Sequence, residues 1–232
     1  MEAKISQEEI MQLLDRLYKQ SAYGVAKVSP PIEVLADDYL RKNRNVDAAA
    51  KQFINYQITK CATSGFVTGL GGLITLPVAI PANVGSVLYV QMRMIACLAY
   101  MGGYDIKSDQ VQTLVYACLA GISIDQIFKQ AGIKVGNKAV MAMVKKIPGE
   151  VLAKINQKVG FRLLTKFGTK GIVNIGKMVP VVGGIISGGF DFAETKVIAN
   201  RAYTMFIDGN FDVLSETDID EIECATDEEI LK

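Results

Sequence analysis

The segment GGLITLPVAIPANVGSVLYVQ, residues 71–91, carries no charged side chain but contains two prolines and three glycines. It lies within an uncharged run, residues 61–92, that exceeds the roughly 20 residues a helix needs to cross a bilayer. Each proline removes a backbone donor and disfavours helix at the preceding residue, so we expect two short apolar pieces joined by a bend. The predicted bend of this apolar hairpin contains Leu76, Pro77, Ile80 and Pro81.

The apolar hairpin has three possible environments. It fits a buried hairpin in a globular core, a hairpin that enters one leaflet of a membrane, or a full membrane span. The interruptions argue against a straight span, because non-helical backbone that faces lipid leaves its polar groups unpaired. The core and the membrane contact both stay open at this stage.

Hydrophobic periodicity predicts helices along most of the chain, and strand-like alternation is nearly absent. Ser6 and Glu9 form a capping-box pattern, whereas Gly102, Gly103 and Gly209 are expected to end helices. The predicted helices cover residues 6–22, 31–43, 46–66, 82–102, 108–131, 133–147, 149–167 and 190–208. The sequence therefore predicts an all-α protein, a multi-helix globular bundle with a glycine- and proline-interrupted apolar hairpin. Its expected parts are N-terminal helices at 1–60, a helical core at 61–208 and an acidic C-terminal tail at 209–232.

Charge is divided between two blocks of opposite sign. Residues 212–232 contain nine acids against Lys232 alone, whereas residues 129–177 contain eleven basic residues and one acid, Glu150. A basic block of this kind attracts the phosphate groups of lipids or nucleic acids. The acidic tail is expected either to stay solvated or to fold back over the basic block as an internal competitor.

Residues 151–170 place an apolar stripe beside a basic stripe, each repeating at every fourth position. The apolar stripe consists of Val151, Ile155, Val159, Leu163 and Phe167. The basic stripe, which we predict to bind lipid or another anion, consists of Lys154, Lys158, Arg162, Lys166 and Lys170. A basic amphipathic helix suits an anionic membrane surface, and the alternative is a surface helix that buries its apolar stripe in the protein. Gly160 and Gly168 are expected to interrupt the helix and reset its phase.

The composition argues against much common enzyme chemistry. The chain has no histidine, which removes Ser-His-Asp and Cys-His triads and most catalytic zinc sites. Its four cysteines form no C-x-x-C pair, and we predict neither a metal site nor a cofactor. Asp191 and Glu194 follow a glycine-rich apolar run and are catalytic candidates as an acid–base pair. The alternative for Asp191 is a helix-start cap or a buried partner of a basic group.

Two stretches carry a pair of motifs in a defined order. In GGLITLPVAIPANVGSVLYVQMRMIACLAYMGGYD, a GG-x-x-x-x-P-x-x-x-P pattern precedes a helix with Gln91 and Arg93. In VPVVGGIISGGFDFAETKVIANRA, a P-x-x-G-G segment precedes Asp191 and Thr195. These motifs resemble the signature regions of the EcsC family of bacterial proteins, over roughly residues 61–206. The resemblance implies a membrane-linked role accessory to a transporter, and it brings no general reaction or catalytic residue set.

The sequence favours a non-enzymatic helical protein that binds a membrane surface or lipid from the cytosolic side, as a cytoplasmic protein or one peripheral to the inner face of the membrane. One alternative is a hydrolase or protease-like enzyme that uses carboxylates near Asp191, and another is a protein-interaction module for a membrane transporter. Nucleic acid is disfavoured because the basic region offers only Phe161 and Phe167 for stacking and no known reader motif.

Overall fold

The computed structural model describes residues 6–25, 29–62, 82–133, 140–167 and 186–211. Helices make up 78% of this part and no strand occurs in it, which confirms the predicted all-α class. In chain order its helices are α1 (Gln7–Tyr23), α2 (Ile32–Lys42), α3 (Val46–Ala62), α4 (Ala82–Met101), α5 (Asp109–Ala120), α6 (Asp125–Gln130), α7 (Val140–Val144), α8 (Gly149–Phe167) and α9 (Ile186–Phe206).

Helix α4 lies at the centre of the bundle. Every residue from 88 to 99 is buried, and α4 packs against α1, α2, α3, α5 and α9. A helix that is apolar on all sides is stable only when it is surrounded, so the apolar sequence after the predicted bend explains this position. Within the described ranges, no helix has both the length and the apolarity needed to cross a bilayer.

Helix α1 begins at the predicted capping box. The Glu9 backbone N–H donates to the Ser6 hydroxyl across 3.1 Å, and the Ser6 N–H donates to the Glu9 carboxylate across 2.7 Å. Its buried face includes Leu13, Leu14 and Leu17 and packs against α4 and α8. The cap therefore fixes the start of a helix whose apolar stripe joins two other helices to one core.

The expected stop at Gly102 and Gly103 is confirmed, since α4 ends at Met101. Gly103 has a φ of +85°, which L-residues with side chains adopt at a cost. Gly102 is required for another reason: a Cβ there would lie 2.1 Å from the carbonyl oxygen of Phe206. The ends of α4 and α9 can meet only because Gly102 has no side chain.

The prediction of one helix over residues 108–131 is wrong. Gly121 adopts a left-handed φ of +67° and its N–H bonds back to the carbonyls of Ala117 and Cys118, so α5 ends at Ala120. The chain resumes helix at Asp125, in α6. The sequence signal for this break was Gly121, because glycine readily adopts the left-handed conformation that ends a helix.

Several predicted features lie outside the described residues. They comprise residues 63–81 of the apolar hairpin, with Leu76, Pro77, Ile80 and Pro81, the basic residue Lys170, the expected phase break at Gly168, residues 134–139 of a predicted helix, and residues 212–232 of the acidic tail.

Candidate functional site

The apolar stripe of α8 faces the protein core. Val151, Ile155, Val159 and Leu163 are all buried, and α8 packs against α1, α5 and α6. The side chain of Phe167, the fifth member of the stripe, lies outside what the structure describes. Of the two environments that the sequence left open for this stripe, the structure therefore places it inside the bundle. In the described part of the chain, the exposed residues of α8 lie on the side that faces away from this stripe.

The expected interruption at Gly160 is wrong, because α8 continues through it to Phe167. A Cβ on Gly160 would lie 2.6 Å from Cγ of Gln7, the first residue of α1. The Gln7 side-chain amide crosses this gap and donates to the carbonyl of Gln157 across 2.9 Å. Gly160 thus serves the close approach of α1 to α8.

The outer side of α8 presents basic side chains around an aromatic ring. Lys154 and Lys158 are exposed, Arg162 is half-buried, and Phe161 is 62% exposed. Because an α-helix advances 100° per residue, Phe161 lies on the same side as Lys154 and Lys158. We call these four residues, Lys154, Lys158, Phe161 and Arg162, the basic face.

The basic residues of this face have no acidic partner within the described part of the chain. The ion pairs found there involve other cations, and none includes Lys154, Lys158 or Arg162. The one acid of α8, Glu150, lies in its first turn. The basic face therefore presents positive charge to the solvent beside an exposed apolar ring.

Lys166, a further member of the predicted basic stripe, has a different role. Its ammonium forms an ion pair with Glu194 of α9, and both side chains are partly exposed. The structure thus brings together a predicted anion-binding residue and a predicted catalytic carboxylate. Lys166 is engaged within the protein, which distinguishes it from Lys154 and Lys158.

The two candidate carboxylates occupy one helix. Helix α9 begins at Ile186, so Asp191 lies inside it, and its expected role as a helix-start cap is wrong. The side chain of Asp191 lies outside what the structure describes. The catalytic role of Asp191 and Glu194 stays a prediction, and the observed partner of Glu194 is Lys166.

The motif residues Gln91, Arg93 and Thr195 are buried in the protein. Gln91 and Thr195 are each 1% exposed, and the Gln91 amide donates to the Thr195 hydroxyl across 3.3 Å. This contact joins α4 to α9, and therefore joins the two sequence stretches that carry the EcsC resemblance. Within the described residues, these side chains support packing between helices.

Arg93 ties the end of α1 to the start of α2. Its guanidinium donates to the carbonyl of Ser21 across 2.7 Å and to the carbonyl of Pro30. Desolvation by burial lowers the pKa of Arg93, while neighbouring groups including Tyr89 oppose that shift. The Tyr89 hydroxyl lies 2.6 Å from that of Ser29, in the same connection. This role of Arg93 was not predicted from the sequence, in which an arginine within an apolar helix was the available signal.

The buried thiols do not provide a nucleophile. Cys97 and Cys118 are free and fully buried. Burial raises the pKa of Cys97 strongly and that of Cys118 to about 12. Because the thiolate is the reactive form, neither group reacts readily near neutral pH. Within the described part, no cluster of three or more His, Cys, Asp or Glu side chains could hold a metal ion.

The exposure of Phe161 was not predicted from the sequence, where this residue was considered only for stacking on nucleic acid. Phe161 falls off the four-residue repeat of the apolar stripe. That offset was the signal that its ring points away from the core side of α8.

The chain matches no known family model, no curated protein and no solved structure. The resemblance to the EcsC family therefore stays a prediction.

Proposed function

We propose that this protein binds anionic membrane surfaces through the basic face of α8, without catalysing a reaction. The observation that carries the proposal is the 62% exposure of Phe161 beside Lys154 and Lys158, which have no acidic partner in the described part. An aromatic ring can enter the boundary between headgroups and acyl chains, while long basic side chains extend to lipid phosphates. One helix face then supplies both contacts that an interfacial helix needs.

The expected strength of this contact is modest. Each Lys or Arg near an anionic surface is worth about 1 kcal/mol, and burial of a phenylalanine ring about 2 kcal/mol. Three basic residues with Phe161 thus supply about 5 kcal/mol, which corresponds to a dissociation constant on the order of 0.1 mM. Binding through this face is therefore reversible and sensitive to salt.

A second contact would strengthen this attachment, since stable anchoring generally requires two signals. The part of the apolar hairpin at residues 63–81, with Leu76, Pro77, Ile80 and Pro81, is the proposed second contact, because residues 88–92 of its second piece are buried in α4. It supplies uncharged surface that the basic face lacks. We propose that this part of the hairpin inserts into one leaflet of the membrane. The alternative environment is the protein core.

The test is co-sedimentation with phosphatidylcholine vesicles that contain or lack phosphatidylserine, over a series of salt concentrations. We expect the unaltered protein to bind only the anionic vesicles, and more weakly as salt rises. Lys154→Glu with Lys158→Glu should weaken binding at least thirtyfold, because it removes about 2 kcal/mol of attraction and adds repulsion. Phe161→Ser should weaken it about tenfold or more, with little change in its salt dependence.

A matched control reverses two exposed charges elsewhere. Arg44→Glu with Lys196→Glu produces the same change in net charge at residues far from the basic face in sequence. This control should retain most of the binding. Equal losses in the two charge-reversal variants would attribute binding to net charge alone and would contradict a specific role for the basic face.

Two alternative functions stay predictions. A protein-interaction module for a transporter would co-purify with membrane protein and fail to bind protein-free vesicles. A carboxylate enzyme would lose hydrolysis with Asp191→Asn while it folds normally, although Glu194 already has Lys166 as a partner. The membrane proposal is favoured because its contacting side chains are exposed to solvent.

A further inference from the structure

We infer that the acidic segment, residues 212–232, docks on the basic face of α8 and competes with the membrane for it. The docking itself is independent of lipid, whereas the competition rests on the proposed membrane function. The occupant is this segment of the same chain, and the surface is the basic face defined above.

Charge complementarity is the first argument. The acidic segment carries nine acids and one lysine. The basic face presents Lys154, Lys158 and Arg162 to solvent, with no acid paired to them in the described residues. Some other exposed cations, such as Lys42, Lys51 and Lys107, have carboxylate partners, whereas the basic face groups three cations that lack one in the described part on one side of a single helix. The basic face is therefore a surface where the acidic segment meets uncompensated positive charge.

The position of Phe211 is the second argument. This residue immediately precedes the acidic segment and is fully buried. Its ring centroid lies 6.4 Å from that of Phe128 in α6, and α6 packs against α8. The acidic segment thus begins next to a residue that is fixed against α6, the helix beside α8.

The length of the segment permits the contact. Its 21 residues can extend to about 70 Å, whereas the 19 residues of α8 span about 28 Å. A short tether also holds the segment at an effective concentration in the millimolar range. Surface ion pairs are individually weak, so the docked state needs this tether and several acids at once. A membrane that offers many anionic headgroups can then displace it.

Zero-length cross-linking of the full chain by a carbodiimide tests the docking without lipid. This reagent joins a carboxylate to a lysine amine only when the two groups are in contact. We expect the acids of residues 212–232 to couple to Lys154 and Lys158 several-fold more than to Lys19 and Lys196, two exposed lysines of other helices. The preference should disappear at high salt and should not change on dilution. Uniform coupling to all four lysines would overturn the docking.

Vesicle binding tests the competition. The variant Asp218→Asn, Asp220→Asn, Glu221→Gln and Glu223→Gln should bind phosphatidylserine-containing vesicles roughly tenfold more tightly, since it frees one or two basic side chains. Glu8→Gln with Asp109→Asn provides the control. Each charge neutralised in this control should raise the affinity for vesicles much less than each charge neutralised in the acidic segment.

The outcomes separate the two proposals. Selective cross-links with unchanged vesicle binding would overturn the competition. Absence of vesicle binding in both the unaltered protein and the neutralised variant would reject the membrane function, and the cross-links alone would then decide the docking. Selective cross-links together with tighter binding of the neutralised variant would support both.

Discussion

The side-chain amide of Gln91 in α4 donates a 3.3 Å hydrogen bond to the hydroxyl of Thr195 in α9, 104 residues further along the chain. Both residues are almost completely buried, so water does not reach their polar groups. The amide and the hydroxyl therefore depend on each other for this hydrogen bond. The contact fixes the central helix against α9, which also reaches α8 through the ion pair between Glu194 and Lys166.

Thr195→Val removes the acceptor and leaves the Gln91 amide without this partner. We expect the free energy of unfolding to fall by about 1–3 kcal/mol, the usual cost of an unsatisfied buried polar group. Gln91→Leu combined with Thr195→Val should recover more than half of this loss, because both polar groups are then absent. Urea denaturation of the single and double variants measures the coupling. Strictly additive effects would show that the hydrogen bond does not stabilise the fold, and Thr195→Ser, which keeps the hydroxyl, is the control.

Arg93→Lys keeps a positive charge but loses the planar donor group that reaches two carbonyls. A lysine ammonium cannot reproduce the spacing of the donors to Ser21 and Pro30, so we expect a loss of about 2–3 kcal/mol in the free energy of unfolding. Amide hydrogen exchange should accelerate near the start of α2. Arg16→Lys, at an exposed position of α1, should change stability by less than about 0.5 kcal/mol. Equal stability of the two variants would contradict the proposed link.

Gly102→Ala places a methyl group against the backbone oxygen of Phe206. A backbone atom cannot avoid this clash by a side-chain rotation. We expect a loss of about 3 kcal/mol, typical of an overpacked site. Gly149→Ala is the matched substitution, because a Cβ there meets no atom within 4 Å. It should raise stability by about 0.4–1 kcal/mol through a smaller entropy of the unfolded chain. Thermal unfolding compares them, and similar midpoints would contradict the close approach of α4 and α9.

Asp47 connects α3 to α9 and gives the protein a pH-dependent contact. The Tyr203 hydroxyl donates to its carboxylate, and the Lys51 ammonium lies 2.9 Å from the same oxygen. The hydrogen bond from Tyr203, followed by that from Lys51, lowers the pKa of Asp47 below its usual 3.8. Because the unfolded chain then binds a proton more readily, the stabilising effect is complete above pH 3.8 and is lost as the pH falls through the folded-state pKa.

The measurement is the urea midpoint of the unaltered protein and of Asp47→Asn between pH 7 and pH 2. We expect the unaltered protein to be more stable at pH 7 and the difference to shrink below about pH 4. Tyr203→Phe removes the first cause of the pKa shift. In this variant, the stability that the Asp47 carboxylate contributes should therefore be lost at a higher pH. A difference that stays constant over the whole range would show that the Asp47 carboxylate contributes no charge-dependent stability.

Local sequence patterns predicted much of the fold. The capping box at Ser6 and Glu9 and the helix end at Gly102 and Gly103 each depend on residues within about one turn of each other. The four-residue apolar repeat of α8 likewise identified residues that share one side of the helix, and it left open whether that side faces the protein or a membrane. Such features are determined by backbone geometry and short-range hydrogen bonds, which a linear sequence contains directly.

What the sequence by itself determined is the helical class, the main helices and the separation of basic from acidic charge. Only the tertiary structure decided which side chains meet: Gln91 with Thr195, Arg93 with Ser21, and Lys166 with Glu194. It also decided that the Gln7 side chain packs against Gly160 and that Phe161 stays exposed beside Lys154 and Lys158. These contacts join residues 28 to 153 positions apart, and they form only when whole helices pack, because the packing of buried apolar faces fixes the relative positions of the polar groups they carry.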